Sequence, residues 1–335
     1  MRDKIKIAIA SGDPAGIGPE ISLKAALDPA MRAACNPIVV CDAGIIARHA
    51  KSCGIKAEFH TVRRIADADW SGQRVNVLDC AVADAATLAL GTTSAAAGRA
   101  SISFCRVAVK AALVGEVDAV VAAPQNETSI SLAGIKFDGH PSFVARETGT
   151  DENDVYMMLC FGEMKIAHAT LHSSVREAIA MITREKIARV IKATDAALRR
   201  LGIDKPKICV SGLNPHAGED GLFGREEIEI IKPAIDAAIA GGMSVAGPVG
   251  ADIMFHKQGF DAFIVMLHDQ GHVAAKVLSP NATAAMTIGV PILFASVAHG
   301  SAHDIAGKGI ASPAAVIEAI GQLAKAKTRF PLSRE

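Results

Sequence analysis

Aromatic residues are scarce, at 4% of the chain, with one Trp and one Tyr in 335 residues. So few rings disfavour the stacking platforms that grip single-stranded nucleic acid. Neither sign of charge is in excess, since Lys plus Arg and Asp plus Glu number 35 each. There is thus no basic field to attract a polyanion or an anionic membrane surface. No apolar run approaches the ~20 residues that a bilayer span needs. The opening MRDKIKIAIASGD enters a strand pattern without a signal-peptide layout. A cytoplasmic protein that binds neither membrane nor nucleic acid is expected. The seven Cys form no CxxC pair and sit mostly in apolar surroundings, so they read as reduced core residues rather than disulfides or zinc ligands.

What the chain does have is a hydrophobic half, 50% of its residues, enough for a large core and, at this length, two lobes. Short β-rich runs alternate with Ala-rich helical patterns: IKIAIA (5–10), PIVVCDA (37–43), RVNVLDC (74–80), VDAVVAAP (117–124), KICVSG (207–212) and DAFIVML (261–267). The alternation predicts an α/β protein with a largely parallel sheet. One stretch breaks it: VYMMLCFGEMKIAHATLH (155–172) reads as two strands around Gly162-Glu163, a hairpin in a second, mixed-sheet lobe or a dimer arm.

Ligands of open α/β sheets bind beyond the carboxyl ends of the strands, so polar residues placed there are the first candidates. SGDPAGIGPE (11–20) follows the first strand and opens a helix, an arrangement that could favour an anion. Its spacing matches neither the dinucleotide fingerprint nor the P-loop, and a structural turn with Pro19 at a helix start explains it equally. His172 in ATLHSSV, His216 in SGLNPHAGED and His268 in VMLHDQGH each follow an apolar run. Three neutral imidazoles converging on a divalent cation would make a catalytic-type site with open positions for substrate. For any one of them a hydrogen-bonded structural role is the commoner fate, and their separation in sequence leaves convergence open. His168, deeper in its apolar run, is given a structural role, as are Cys160 and Cys209. Finally, AHGSAHDIAGKGIASP (298–313) combines glycines, a Ser and Asp304 before a helical pattern. Such a loop could wrap a nucleotide with backbone N–H groups while Asp304 caps the helix or meets a ribose hydroxyl; a plain loop is the alternative.

SGDPAGIGPE, AGIKFDGHPSF, TLHSSV, GLNPHAGEDGLFG, GPVGAD, LHDQGH and HGSAHDIAGKG stand in the order seen in the 4-hydroxythreonine-4-phosphate dehydrogenase family of vitamin B6 biosynthesis, which the chain resembles over nearly its whole length. The resemblance implies an isocitrate/isopropylmalate dehydrogenase-like fold of two α/β domains with a cleft between them, domain one from 1–125 plus 295–335 and domain two from 126–294. It also implies a homodimer with a shared active site, dependent on NAD or NADP and on a divalent metal (Zn, Mg, Mn or Co). Carried over position by position, it puts the metal on His172, His216 and His268, substrate contacts on His140 and Lys276, and the cofactor loop on Gly300, Ser301, Asp304, Gly307 and Lys308. Asp269 and Lys276 become candidates for catalytic support, through proton transfer or by orienting a metal-bound group.

The chain also departs from the family pattern. Pro124-Gln125-Asn126-Glu127 replaces a Pro-Val-His-Lys run; at the family's substrate-binding positions Pro141 replaces a Thr, and Ala285 and Phe294 replace an Asn and an Arg, which a carboxylated ring would suit better. Lost guanidinium, amide and hydroxyl donors weaken the case for a phosphate dianion. The same changes resemble a branch acting on terephthalate cis-dihydrodiol, so the expectation is oxidation of a secondary alcohol β to a carboxylate, with decarboxylation, on a non-phosphorylated substrate. The alternatives are oxidation of 4-phosphohydroxy-L-threonine, with backbone N–H groups of SGDPAGIGPE replacing the lost donors, and a metal- or nucleotide-binding protein without redox activity.

Overall fold

The computed structural model describes residues 4–280 and 282–326. Along them run β1 (Ile5–Ala10), β2 (Cys35–Cys41), β3 (Phe59–Val62), β4 (Val75–Asp79), β5 (Ala119–Ala122), β6 (Tyr156–Phe161), β7 (Met164–His168), β8 (Lys207–Ser211), β9 (Ser244–Val249), β10 (Ala262–Val265), β11 (Ala284–Ile288) and β12 (Leu293–Val297), with helices between most of them. The six strands expected from the alternation are all formed, as β1, β2, β4, β5, β8 and β10, and the hairpin turning at Gly162-Glu163 is β6–β7.

The chain divides into two compact units, one of residues up to Gly149 together with those from Pro291 onward, the other Thr150–Val290. The first boundary therefore lies at 149/150 rather than 125/126, and the return at 290/291 rather than 294/295. Close packing explains the first difference. The helices Glu127–Leu132 and His140–Thr148 lie against the long helix Ala95–Leu113 of the first unit. There Gly98 admits the Ser129 carbonyl to 2.1 Å from where a Cβ would stand. Any larger residue at 98 would push that segment off.

In the first unit the strand order is β3-β4-β2-β1-β5-β12, parallel throughout. Ile7–Ala10 and the whole of β5 are fully buried, which is why both read as unbroken apolar runs rather than alternating ones.

In the second unit the order is β11-β6-β7-β10-β8-β9. The β11–β6 and β6–β7 pairs are antiparallel, whereas β7, β10, β8 and β9 run parallel. Its core gathers Leu159, Ile166, Cys209, Phe263, Val265 and Ala285, one residue or more from each of five strands. Cys209 sits there as a small apolar side chain, its thiol pushed up to about 11 by burial.

Candidate functional site

The topology of the second unit decides what its histidines can do. β7, β10 and β8 are neighbours in space though not in sequence, and their carboxyl ends face the same way. His168 pairs with Val265, and Ile264 with Val210. The pairing continues past β7: the Ala169 N–H donates to the Val265 carbonyl at 2.9 Å, and the buried Thr170 hydroxyl donates to the Met266 carbonyl at 2.7 Å. The chain thus delivers His172 and His268 together, with ring centroids 5.9 Å apart. His216 emerges from the end of the third strand, β8.

His268 opens the helix His268–Leu278. Its Nδ1 lies 2.7 Å from the Asp269 carboxylate, an arrangement that puts the imidazole proton on Nδ1 and leaves the Nε2 lone pair free for a cation. His272, one turn on, stacks face to face on His268 at 3.7 Å, and its Nδ1 lies 3.2 Å from the His268 carbonyl. Burial, with neighbouring His268, pushes the His272 imidazole down to about 4. Lys276, a further turn along, is exposed. Behind this row, His168 is 1% exposed with its ring 4.7 Å from that of His272. It is a core residue, as its place deep in the apolar run indicated, and neither of its ring nitrogens has a hydrogen-bond partner among the described residues.

His216 stands in a strained turn. Residues 216–220 all have positive φ, from 42 to 82°, and only Gly218 among them is glycine. At about 1–2 kcal/mol per non-glycine residue in the left-handed region, the turn persists only because its surroundings hold it. Among the described residues, no group of three or more His, Cys, Asp or Glu side chains is close enough to hold a metal. Within one chain, then, His172 and His268 come together and the full three-His set does not form. The pair nonetheless suits a divalent cation in kind: both are imidazole donors at least part exposed, one oriented by a carboxylate.

The other expected residues lie in the first unit, apart from Ala285. His140 begins the helix His140–Thr148, with Pro141 at a position where no N–H is needed. The His140 ring sits between Phe137 at 5.4 Å and Phe294 at 5.6 Å, its Nε2 buried without a partner among the described residues. Burial alone pushes its imidazole down to about 4. Phe294 is 0% and Ala285 7% exposed, both inside strands. Both side chains are thus enclosed by their own units, and Phe294 meets the His140 ring.

Along the expected cofactor loop, Gly300, Asp304 and Lys308 are exposed. Ser301 is not: it is 6% exposed, its hydroxyl accepts from the Asn126 amide at 3.2 Å, and its carbonyl accepts from the Ile17 N–H at 2.9 Å. It anchors the loop. Beside it His303 Nε2 meets the buried Asp13 carboxylate at 2.5 Å, a contact that the sequence did not announce. Asn126 also caps the next helix by accepting from the Ser129 N–H. The SGDPAGIGPE loop is buried throughout, and the N–H groups of Ser11, Asp13, Ala15, Gly16 and Ile17 are spent on Val40, Pro124, Asp13 and Ser301. They cannot serve as replacement donors for a phosphate.

His140 and His168 make the fold acid-sensitive. Their folded values, about 4 and about 3, lie below the ordinary 6.5. The unfolded chain therefore binds more protons on falling through pH 6.5, and stability that is complete above that value drains away towards pH 4. By pH 4 each group has withdrawn about 3 kcal/mol of stability. The thermal midpoint should fall steadily between about pH 7 and about pH 5, and a flat profile over that range would show that these imidazoles are not held neutral.

The protein-family model for pyridoxal phosphate biosynthetic protein PdxA matches residues 33–323. A Symbiobacterium thermophilum relative provisionally named D-threonate 4-phosphate dehydrogenase is 40% identical over 331 residues, covering 98% of each chain. The crystal structure of a 4-hydroxythreonine-4-phosphate dehydrogenase from Burkholderia phymatum superposes with a TM-score of 0.88 at 36% identity, over 97% of this chain and 99% of that one. A terephthalate 1,2-cis-dihydrodiol dehydrogenase from Burkholderia xenovorans gives 0.72 at 38% identity, over 96% and 98%. A β-decarboxylating dehydrogenase from Thermococcus kodakarensis, at 16% identity and a TM-score of 0.50, shares the fold.

Proposed function

This chain belongs to the pyridoxal phosphate biosynthetic protein PdxA family and is a dehydrogenase acting on a CH–OH group; from that premise we propose that it oxidises a phosphorylated four-carbon hydroxy acid at the hydroxyl β to the carboxylate. One comparison supports this substrate over the dihydrodiol. The relatives named for phosphorylated acids reach 40% identity over 98% of the chain and a TM-score of 0.88, against 0.72 for the dihydrodiol enzyme.

The single observation that carries the chemistry is the His172–His268 pair with Asp269 on His268 Nδ1. His172 and His268 would hold a divalent cation, with His216 completing the set across a homodimer. Exposed Val273, Val277 and Leu278 on the His268–Leu278 helix suit burial against a second copy. A bound cation supplies Lewis acidity that lowers the pKa of the substrate hydroxyl and steadies negative charge on its oxygen, while NAD supplies the hydride acceptor. Asp269 keeps the His268 proton on Nδ1. His140, neutral well below physiological pH, would offer a hydrogen bond rather than a charge, which leaves Lys276 as the cation facing the phosphate or as the donor of the proton that replaces carbon dioxide on the adjacent carbon. Gly300, Asp304, Gly307 and Lys308 would receive the dinucleotide. The overall change is hydroxy acid plus NAD to ketone, carbon dioxide and NADH.

The test is NADH formation with added divalent metal on three substrates: D-threonate 4-phosphate, 4-phosphohydroxy-L-threonine, and a terephthalate-type cis-dihydrodiol. Turnover of either phosphorylated acid, with at least about tenfold preference over the dihydrodiol, is expected. Turnover of the dihydrodiol alone would replace the substrate proposed, and no NADH from any of the three, with no effect of chelator, would overturn the dehydrogenase site as drawn.

A further inference from the structure

The turn that carries His216 is built around one buried carboxylate. Glu227 is 3% exposed, on the first residue of the irregular helical turn Glu227–Ile231. Its Oε1 accepts the N–H groups of Leu213 at 2.7 Å and Asn214 at 2.8 Å, and its Oε2 accepts the Asn214 side-chain amide at 2.9 Å. Three glycines close around these groups. A Cβ at Gly218 would stand 2.7 Å from Glu227 Oε2, one at Gly212 3.1 Å from Oε1 and 2.8 Å from the Ala217 Cα, and one at Gly224 2.5 Å from the Asn214 amide nitrogen. Gly212, Asn214, Gly218, Gly224 and Glu227 therefore form one contact shell, folded so that the carboxylate grips the residues just before the left-handed turn.

The same short segment is held from its other side. Gln270 Oε1 accepts the N–H groups of Met266 and Leu267, both at 2.9 Å, while its Nε2 donates to the Gly212 carbonyl at 3.1 Å. The ends of β10 and β8 are thereby tied to each other, His268 leaving one and His216 the other.

We propose that Glu227 is a positioning residue for His216: it holds 213–214 and so fixes the left-handed turn 216–220 that aims the imidazole, with Gln270 setting that turn against the end of β10. This rests on the reading above, in which His216 is a metal ligand. The carboxylate touches neither substrate nor cation; it acts through the backbone, in a turn that its own residues' conformational preferences oppose.

The test uses the full chain with Zn alone as probe. Glu227→Gln keeps the side-chain shape but sets an amide against the Asn214 amide, and Asn214→Ala, at a half-exposed position, removes one of the three bonds, along with the bond at 2.7 Å that the same amide donates to Glu226, and leaves the core intact. In both variants the amides of 212–224 should exchange hydrogen faster, and Zn affinity measured by calorimetry should fall, by about 10- to 100-fold for Glu227→Gln and less for Asn214→Ala. A residue important for stability alone would lower the thermal midpoint without moving Zn affinity at 25 °C, and that result overturns the proposal. His216→Ala is measured alongside. If it leaves Zn affinity unchanged, the ligand reading fails; if it abolishes binding while folded Glu227→Gln and Asn214→Ala bind Zn as the parent does, the positioning role alone fails.

Discussion

Replacing His268 by alanine is expected to leave a folded protein that retains no divalent metal and forms NADH at least about 1,000-fold more slowly. The imidazole sits at the start of a helix, about one-third exposed, so its removal opens little core and costs little stability. What is lost is the donor oriented by Asp269 at 2.7 Å and 5.9 Å from the His172 ring. His272→Phe is the informative companion. Phe keeps a ring to stack at the His268 face, and His272 already has its Nδ1 at the His268 carbonyl, so this variant should keep most of its metal. Metal content by mass spectrometry, together with the NADH rate, checks both. Full metal occupancy in His268→Ala would remove His268 from the ligand set.

The second large effect is expected at Gly271, the glycine inside LHDQGH. A Cβ there would lie 2.3 Å from His168 Nε2 and 2.9 Å from Ile166 Cγ2. Neither neighbour is free to retreat, since His168 is 1% and Ile166 0% exposed and the His168 ring packs at 4.7 Å on His272. Gly271→Ala should therefore cost about 3 kcal/mol by overpacking and lower the thermal midpoint by roughly 5 °C or more. Strain relieved by moving the helix would also shift the His272–His268 stack, so metal affinity should fall with stability. Guanidinium unfolding followed by circular dichroism measures the first effect and calorimetry the second. An unchanged midpoint would mean that the core around His168 yields more easily than its packing indicates.

The glycine also shows the limit of what a motif discloses. LHDQGH offered His268 as a ligand and Asp269 as its support, and the structure sets the Asp269 carboxylate 2.7 Å from His268 Nδ1. It did not disclose that Gln270 accepts from two backbone groups and reaches Gly212, or that Gly271 is needed because a histidine at the end of β7 fills the space where its side chain would be. His272, which had no role on sequence grounds, is the ring that stacks on His268. Glu227 has no local signal at all: thirteen or fourteen residues separate it from the groups it holds.

Ala285 and Phe294 show a different case, where aligned substrate-binding positions prove to lie within strands, 7% and 0% exposed. Loss of a polar side chain at such a position says that the contact is gone, and only the surroundings say what took its place. For Phe294 it is the His140 ring.

By itself the sequence determined the local structure and the cast of reactive groups. Apolar periodicity is a property of neighbouring residues, so β1, β2, β4, β5, β8, β10 and the β6–β7 hairpin could be read from it. The residues at strand ends followed, because a strand must stop before its polar loop begins. Only the tertiary structure decided which strand ends meet. The β7-β10-β8 order joins segments about fifty to one hundred residues apart through backbone hydrogen bonds, which carry no side-chain signature. That order brings His172 to His268, places the His216 turn on the adjoining strand, and buries His168 behind them.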